Sequence, residues 1–340
     1  MPRRSCAMRQ QALPSPPSTK FAPWLDYLSK LPKRSTAFLP AVGLVVVIIG
    51  MILLNSRFLS VGNLENIGRQ VSINAIISVG MTFAILTGGI DLSVGATMAF
   101  TGTLTAGLLA AGVPSIAAIA AGLATGLAFG LGNGLCIARL RMPPIIVTLA
   151  SMSIARGLGL IYTNGYPITG LPDWFAFLGR GTVLGIQTPI LIMLLTYAAA
   201  YILLQHMPIG RYIFAIGGNE DAVRLSGIDA RRYKVIVYLI SGVTAAIAGI
   251  LLSSRLMSGQ PNAGMGFELD AIAAVVLGGT AISGGRGSII GTLIGALLLG
   301  VLNNGLNLMN VSPYVQNVIK GAIILLAIFI SRQTRPGTGR

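Results

Sequence analysis

Asp91 sits between two apolar spans, and Arg156 and Lys320 lie within others. An ionised group at membrane depth is costly, so it faces protein, water or a partner charge rather than hydrocarbon. Asp91 sits in Gly88-Gly89-Ile90-Asp91-Leu92-Ser93-Val94-Gly95. Its glycines permit non-helical backbone, which is tolerated at depth only when buried or lining a cavity. Two compatible roles follow: Asp91 is a pathway or gate element, or it caps the next helix with help from Ser93. Arg156 and Lys320 can pair with an acid, snorkel, or face a hydrated cavity. The amides Asn74, Asn133, Asn303, Asn304, Asn307 and Gln316 suit either a hydroxyl-rich solute or helix–helix hydrogen bonding. Asp91, Ser93, Asn74, Asn133, Asn303 and Asn304 are therefore the candidates for a polar path.

None of this amounts to a catalytic set, and an enzyme is not expected. His206 is the only histidine and falls at the edge of an apolar run. Cys6 and Cys136 offer neither a disulfide framework nor metal-ligand spacing, so neither a metal nor another cofactor is expected. There is no G-x-x-x-x-G-K-[ST] phosphate loop. By this criterion the chain is not expected to hydrolyse ATP itself.

The elements that position these residues are membrane helices. Of 340 residues, 54% are hydrophobic and only 10% charged, against about a quarter charged in soluble domains. Glycine, at 44 residues, suits helices that approach closely in lipid. An all-α polytopic membrane protein with about ten spans is expected. Apolar segments fall at about 38–54, 71–87, 94–112, 115–138, 145–162, 188–205, 235–252, 269–283, 288–306 and 315–331. The segment 269–283 is short for a bilayer and reads as a broken or partial span. Ten spans put both termini on one side. With that side inside, the outer loops hold only Arg57, Arg69, Arg180 and Arg255, and the other basic residues outside the spans are cytoplasmic. The positive-inside rule requires that asymmetry. It also explains the net charge of +15 better than nucleic acid does. Residues 1–36 read as a disordered basic cytosolic tail without a signal peptide, 37–331 as the transmembrane domain, and 332–340 as a second cytosolic tail.

A faint internal repeat is visible. Gly130-Leu131-Gly132-Asn133-Gly134 with Pro143 aligns, 170 residues on, with Gly300-Val301-Leu302-Asn303-Asn304 and Pro313. Span parity gives the two copies, 71–162 and 235–331, opposite directions, which predicts an inverted repeat.

Between the spans lies a long polar interruption, residues 206–234. Its centre reads as a short helix, with Asn219 as N-cap, Glu220 and Asp221 in the first turn, and Gly227 as the left-handed exit. So short a helix needs support. By spacing alone it is either a connector packed on its own protein or a docking element.

Three stretches carry a family resemblance: Ala215–Ile228 around Gly217-Gly218-Asn219-Glu220, Thr87–Gly95, and Leu277–Gly287. The three follow the family's order along the chain, and over about residues 38–331 the chain resembles permease subunits of bacterial monosaccharide ABC importers of the ribose/xylose/arabinose type. The resemblance implies that Gly217, Gly218, Asn219, Glu220, Ala222, Leu225, Ser226 and Gly227 form the segment that couples to a cytosolic ATPase. Ala222, Leu225 and Ser226 share one helix face. It also implies a homodimer, or a pair with a paralogue, in the bacterial inner membrane. An extracytoplasmic sugar-binding protein is implied too, with Tyr166, Asp173 and Trp174 of the outer loop as contact candidates; interfacial anchoring is the alternative for these aromatics. Within such importers another small polar solute, a branched-chain amino acid or polyol, is the alternative cargo. An ion-coupled secondary transporter is the rival class, and would call for more acids within the spans.

Overall fold

The computed structural model describes residues 38–333. The tail expected at 1–36, with Cys6, and residues 334–340 of the tail expected at 332–340 lie outside the described residues, whereas 332 and 333 belong to the last helix. Helices α1 (Phe38–Leu54), α2 (Val61–Leu86), α3 (Val94–Ala110), α4 (Ser115–Ala138) and α5 (Pro144–Thr163) come first. A loop follows with a 3-10 turn (Asp173–Phe175), a short α6 (Ala176–Arg180) and a two-stranded hairpin, β1 (Thr182–Val183) and β2 (Ile186–Gln187). Then come α7 (Thr188–Gln205), α8 (Pro208–Gly218), α9 (Glu220–Leu225), α10 (Ala230–Leu256), α11 (Phe267–Leu277), α12 (Ile289–Leu308) and α13 (Pro313–Gln333). Among the described residues, α2, α4, α5, α7, α10 and α12 are long and apolar enough to cross a membrane. The architecture is all-α.

Two helices begin earlier than the apolar pattern predicts. α2 starts at Val61, ten residues before the expected 71, because its first turns carry Asn63, Glu65, Asn66, Arg69 and Gln70. α10 starts at Ala230, where the Asp229 side chain accepts a hydrogen bond from the Arg231 N–H. The short span is resolved as well. α11 has 11 residues, which at 1.5 Å each is about 16 Å, half the hydrocarbon thickness. The rest of that span is non-helical: residues 257–266 lead into α11 and 278–288 leave it.

The repeat is visible in the helix boundaries. Shifted by 170 residues, α2 falls on α10, α3 on α11, α4 on α12 and α5 on α13, within a few residues at each end. The repeat units are therefore 61–163 and 230–333. The equivalent helices α2 and α10 lie side by side and run oppositely: Gly80 of α2 backs onto Ser241 and Thr244, and Gly89, past the end of α2, meets Tyr238. That makes the repeat inverted. The halves are also interlocked, because α10 packs on α3 and α4 of the first half, whereas α2 packs on α11 and α12 of the second. Small residues bring these backbones together, as where Gly126 of α4 meets Gly242 of α10. The core runs along α2, whose residues 71–86 are all buried.

Candidate functional site

The polar interruption folds into two helices rather than one. The unanticipated α8 is signalled by Pro208 at its first position, where a missing N–H costs nothing. α9 follows at once, and the Asn219 side chain accepts from the Ala222 N–H at 3.0 Å. The exit at Gly227 has φ +81°, a left-handed conformation that glycine adopts without a Cβ clash. Val223 supplies the support that so short a helix needs, buried against Ile216, Ile228, Ala230 and Tyr233. The Lys234 ammonium meets Glu220 at 2.6 Å and ties the start of α9 to α10. Ala222, Leu225 and Ser226 face outward, Leu225 with 86% of its surface exposed. Beside them a cleft of about 550 Å³ separates α9 from the α4–α5 turn, lined by Arg141, Met142, Pro143, Glu220, Arg224 and Lys234 among others.

The three stretches that carry the family resemblance meet at one point. The Gly285 N–H donates to the Leu86 carbonyl at 2.9 Å, joining the 278–288 loop to the last turn of α2. Gly217 packs into this junction so closely that a Cβ there would collide with the Leu86 carbonyl and the Gly285 nitrogen. Gly284 lies against Gly88 and Gly217. Residues far apart in sequence thus form a backbone-to-backbone seat with no side chain between them. It holds the end of α8, and through it α9, on the helix bundle.

From this seat residues 87–93 turn into the bundle, and Asp91 is 2% exposed. Its Oδ1 accepts from the Ser93 N–H at 3.0 Å and the Ser93 hydroxyl at 2.6 Å, and its Oδ2 accepts from the Ser241 hydroxyl at 2.7 Å. Asn133 donates to the Ser93 oxygen at 3.0 Å, and the Ser151 hydroxyl donates to Asn133. Asp91 thus closes a turn onto Ser93, and it links α3, α4, α5 and α10. The expected helix cap takes a different form: Ser93, held by Asp91, makes no side-chain hydrogen bond into the first turn of α3. The space among Asp91, Ser93, Asn133 and Ser241 does not admit a water molecule.

Of the remaining amides, Asn74, Asn303, Asn304 and Gln316 are buried, whereas Asn307 is exposed. Asn304 exchanges two hydrogen bonds with Asn63, at 2.8 and 3.0 Å, which fasten α12 to α2. Asn74 and Asn303 are each 8% exposed, and their Oδ1 atoms have no partner. Gln316 donates to Asn307 at 2.8 Å. Arg156 and Lys320 are engaged as well: Lys320 meets Asp270 at 3.0 Å, and Arg156 donates to the Pro261 and Ala263 carbonyls.

At the opposite end of the bundle, Tyr166, Asp173 and Trp174 are exposed on the long loop. Three of the four arginines assigned to the outer loops converge beside it. Arg69, Arg180 and Arg255 line a recess of about 360 Å³ with Asn66 and Leu256. The Arg180 Nε donates to the Arg255 carbonyl at 2.7 Å, and the nearest ion pair, Arg69 with Glu65, is stretched to 4.0 Å. Nothing in the local sequence marks this cluster, because its members lie on α2, α6 and α10.

Residues 63–328 match the family model for the branched-chain amino acid transport system / permease component. The ribose import permease protein RbsC of Bacillus subtilis (strain 168) is 54% identical over 296 residues, covering 86% of this chain and 92% of the relative. Its namesake from Escherichia coli (strain K12) is 49% identical over the same shares of each chain. The L-arabinose transport system permease protein AraH of Escherichia coli (strain K12) is 41% identical over 270 residues, covering 79% and 82%. No solved structure matches. The family model and these relatives cover most of the chain and its apolar helices, so the chain belongs to this family of transport-system permease components and is an integral membrane protein.

Proposed function

We propose that this chain is the membrane-spanning permease of an ATP-driven importer, forming the translocation path for a monosaccharide such as ribose. The observation that carries this reading is the construction of α9. It presents Ala222, Leu225 and Ser226 outward and is joined through Val223 and the Gly217 seat to both halves of the bundle. A separate cytosolic ATPase subunit docks on that face and the adjoining cleft, and hydrolyses the ATP; the permease itself carries no ATPase site and no cofactor. Movement of the ATPase subunits passes through α8 and α9 as a rigid lever to the bundle. The relatives named for ribose and arabinose favour a sugar over the amino acid in the family description. The engagement of Asp91, Arg156, Asp270 and Lys320 by protein partners argues against ion coupling.

In this reading α9 and both termini face the cytoplasm of a bacterial inner membrane, as the distribution of basic residues indicates. A second copy completes the path. The opposite face receives the extracytoplasmic sugar-binding protein, with Tyr166, Asp173, Trp174 and the arginine recess as the contact surface. The recess suits carboxylates on that partner. Asp91, Ser93, Asn133 and Asn304 hold the wall of the path in shape from behind.

The test is purification of the tagged chain from its native membrane in mild detergent, followed by reconstitution in liposomes. An ATPase subunit that co-purifies, with ATP-dependent ribose uptake in the presence of the binding protein, is the expected result. A chain that purifies alone and moves solute on an ion gradient refutes the proposal.

A further inference from the structure

The non-helical segment before α11 lies well inside the bundle. Gly259 packs on Thr103 and Ala106 of α3, whereas Gly264 packs on Gly95 and Met98, about 12 Å further along that helix. Met98 is level with Gly249 of α10, seven residues before the last residue of that helix, or about 10 Å below its end. Residues 261–266 therefore run within the hydrocarbon thickness.

This backbone is partly uncovered. Asn262 is exposed, and Met265 is 70% exposed. The Arg156 Nη1 reaches across from α5 to donate to the carbonyls of Pro261 at 3.2 Å and Ala263 at 3.3 Å, on either side of Asn262. Glu268 accepts from the Gly266 N–H at 3.2 Å, and Asp270 is paired with Lys320. Charges and irregular backbone are thus concentrated on one region of α5, α11 and α13. Lipid cannot solvate such a surface: non-helical backbone at depth is tolerated only when buried in protein or lining a water-filled cavity. The Asp91 network, by contrast, is closed and leaves no room for a water molecule.

We infer that residues 261–266, clamped by Arg156, form the wall of the aqueous path at membrane depth, and that the Asn262 carboxamide touches the transported sugar there. The inference rests on the proposed transport function and names its contact surface. A carboxamide both donates and accepts, as a sugar hydroxyl does. One such contact is weak enough to release the solute, as conduction requires. Arg156 is a positioning residue, because it acts by holding the loop. The occupant of the exposed face is water and sugar, enclosed by the second copy of the chain.

The test uses the full chain with Cys6→Ser and Cys136→Ser, reconstituted with its ATPase and binding protein. Asn262→Cys is compared with Leu195→Cys on α7, a residue 71% exposed on an apolar helix. A charged, water-soluble methanethiosulfonate is the probe, and thiols counted after denaturation establish equal protein in both. The expected result is labelling of Asn262→Cys at least ten-fold faster than Leu195→Cys, slowed by ribose during turnover. Equal rates place the loop against lipid or protein and overturn the inference. A second variant, Asn262→Leu, is expected to lower ribose uptake at least ten-fold while binding-protein-stimulated ATP hydrolysis persists; unchanged uptake overturns the contact. Fast labelling in a complex whose parent chain carries no sugar at all would overturn the transport proposal and leave the aqueous loop standing.

Discussion

The glycine seat makes opposite predictions for two adjacent residues. Gly217 and Gly218 close the same helix, α8, and neither has a positive φ. Alanine in place of glycine favours a helix by about 1 kcal/mol. At Gly218 a Cβ would meet nothing within 4 Å, so Gly218→Ala is expected to be neutral or slightly stabilising. At Gly217 the Cβ falls on the Leu86 carbonyl and the Gly285 nitrogen, both backbone atoms that cannot rotate away. Overpacking of this kind costs about 1–3 kcal/mol. Separating Gly285 from Leu86 leaves a donor and an acceptor unpaired, at about 1–3 kcal/mol more where they stay buried. After the helix gain is subtracted, Gly217→Ala weakens the seat by roughly 1–5 kcal/mol, an approximately 5- to 4,000-fold shift toward the undocked state. The assay is the number of sugars imported per ATP hydrolysed by the reconstituted complex, alongside the thermal midpoint in detergent. A lower coupling ratio for Gly217→Ala and a normal one for Gly218→Ala is expected. Equal ratios for both variants would refute the claim that this contact transmits movement.

Leu225→Asp, at an exposed position, is expected to insert normally yet lose ATPase co-purification; retention of the ATPase in pull-downs would remove the docking role from that face. Ser241→Ala deletes one donor to a buried carboxylate, and a loss of about 1.5–3 kcal/mol should appear as a lower thermal midpoint, with Asp91→Ala costing more. Lys320→Met leaves Asp270 half-buried and unpaired, a cost of about 3–5 kcal/mol that Asp270→Leu in the same chain should largely restore. A double-variant cycle in detergent reads that coupling, and purely additive losses would argue against it.

Much of this architecture is legible in the sequence wherever one physical signal dominates. The ends of α4 and α7 follow from apolar content alone, and the α9 cap follows from Asn219 and the two acids after it. The early starts of α2 and α10 are hidden because their first turns are polar, so a hydropathy reading stops at the lipid boundary while the helix continues. α8 is marked in the sequence by little more than Pro208, and only the close packing of Gly217 explains why glycine is required there. The burial of Asn74, Asn133 and Asn303 is not legible, since helices built from alanine, glycine and leucine look apolar on every side. The glycine seat and the arginine recess depend on which helices lie together, and that information is not local.

The interlocked halves bear on how the chain is made. α2 emerges from the ribosome early, yet three of the helices that cover it, α10, α11 and α12, are among the last to be synthesised. Until then Ser78, Thr82 and the rest of its later-buried surface need temporary shelter, from the insertion machinery or from provisional neighbours. A nascent chain halted after α7 would thus hold most of its helices and lack a finished core. Biogenesis of the two halves cannot be modular: the second must be threaded around a helix that the first has already placed.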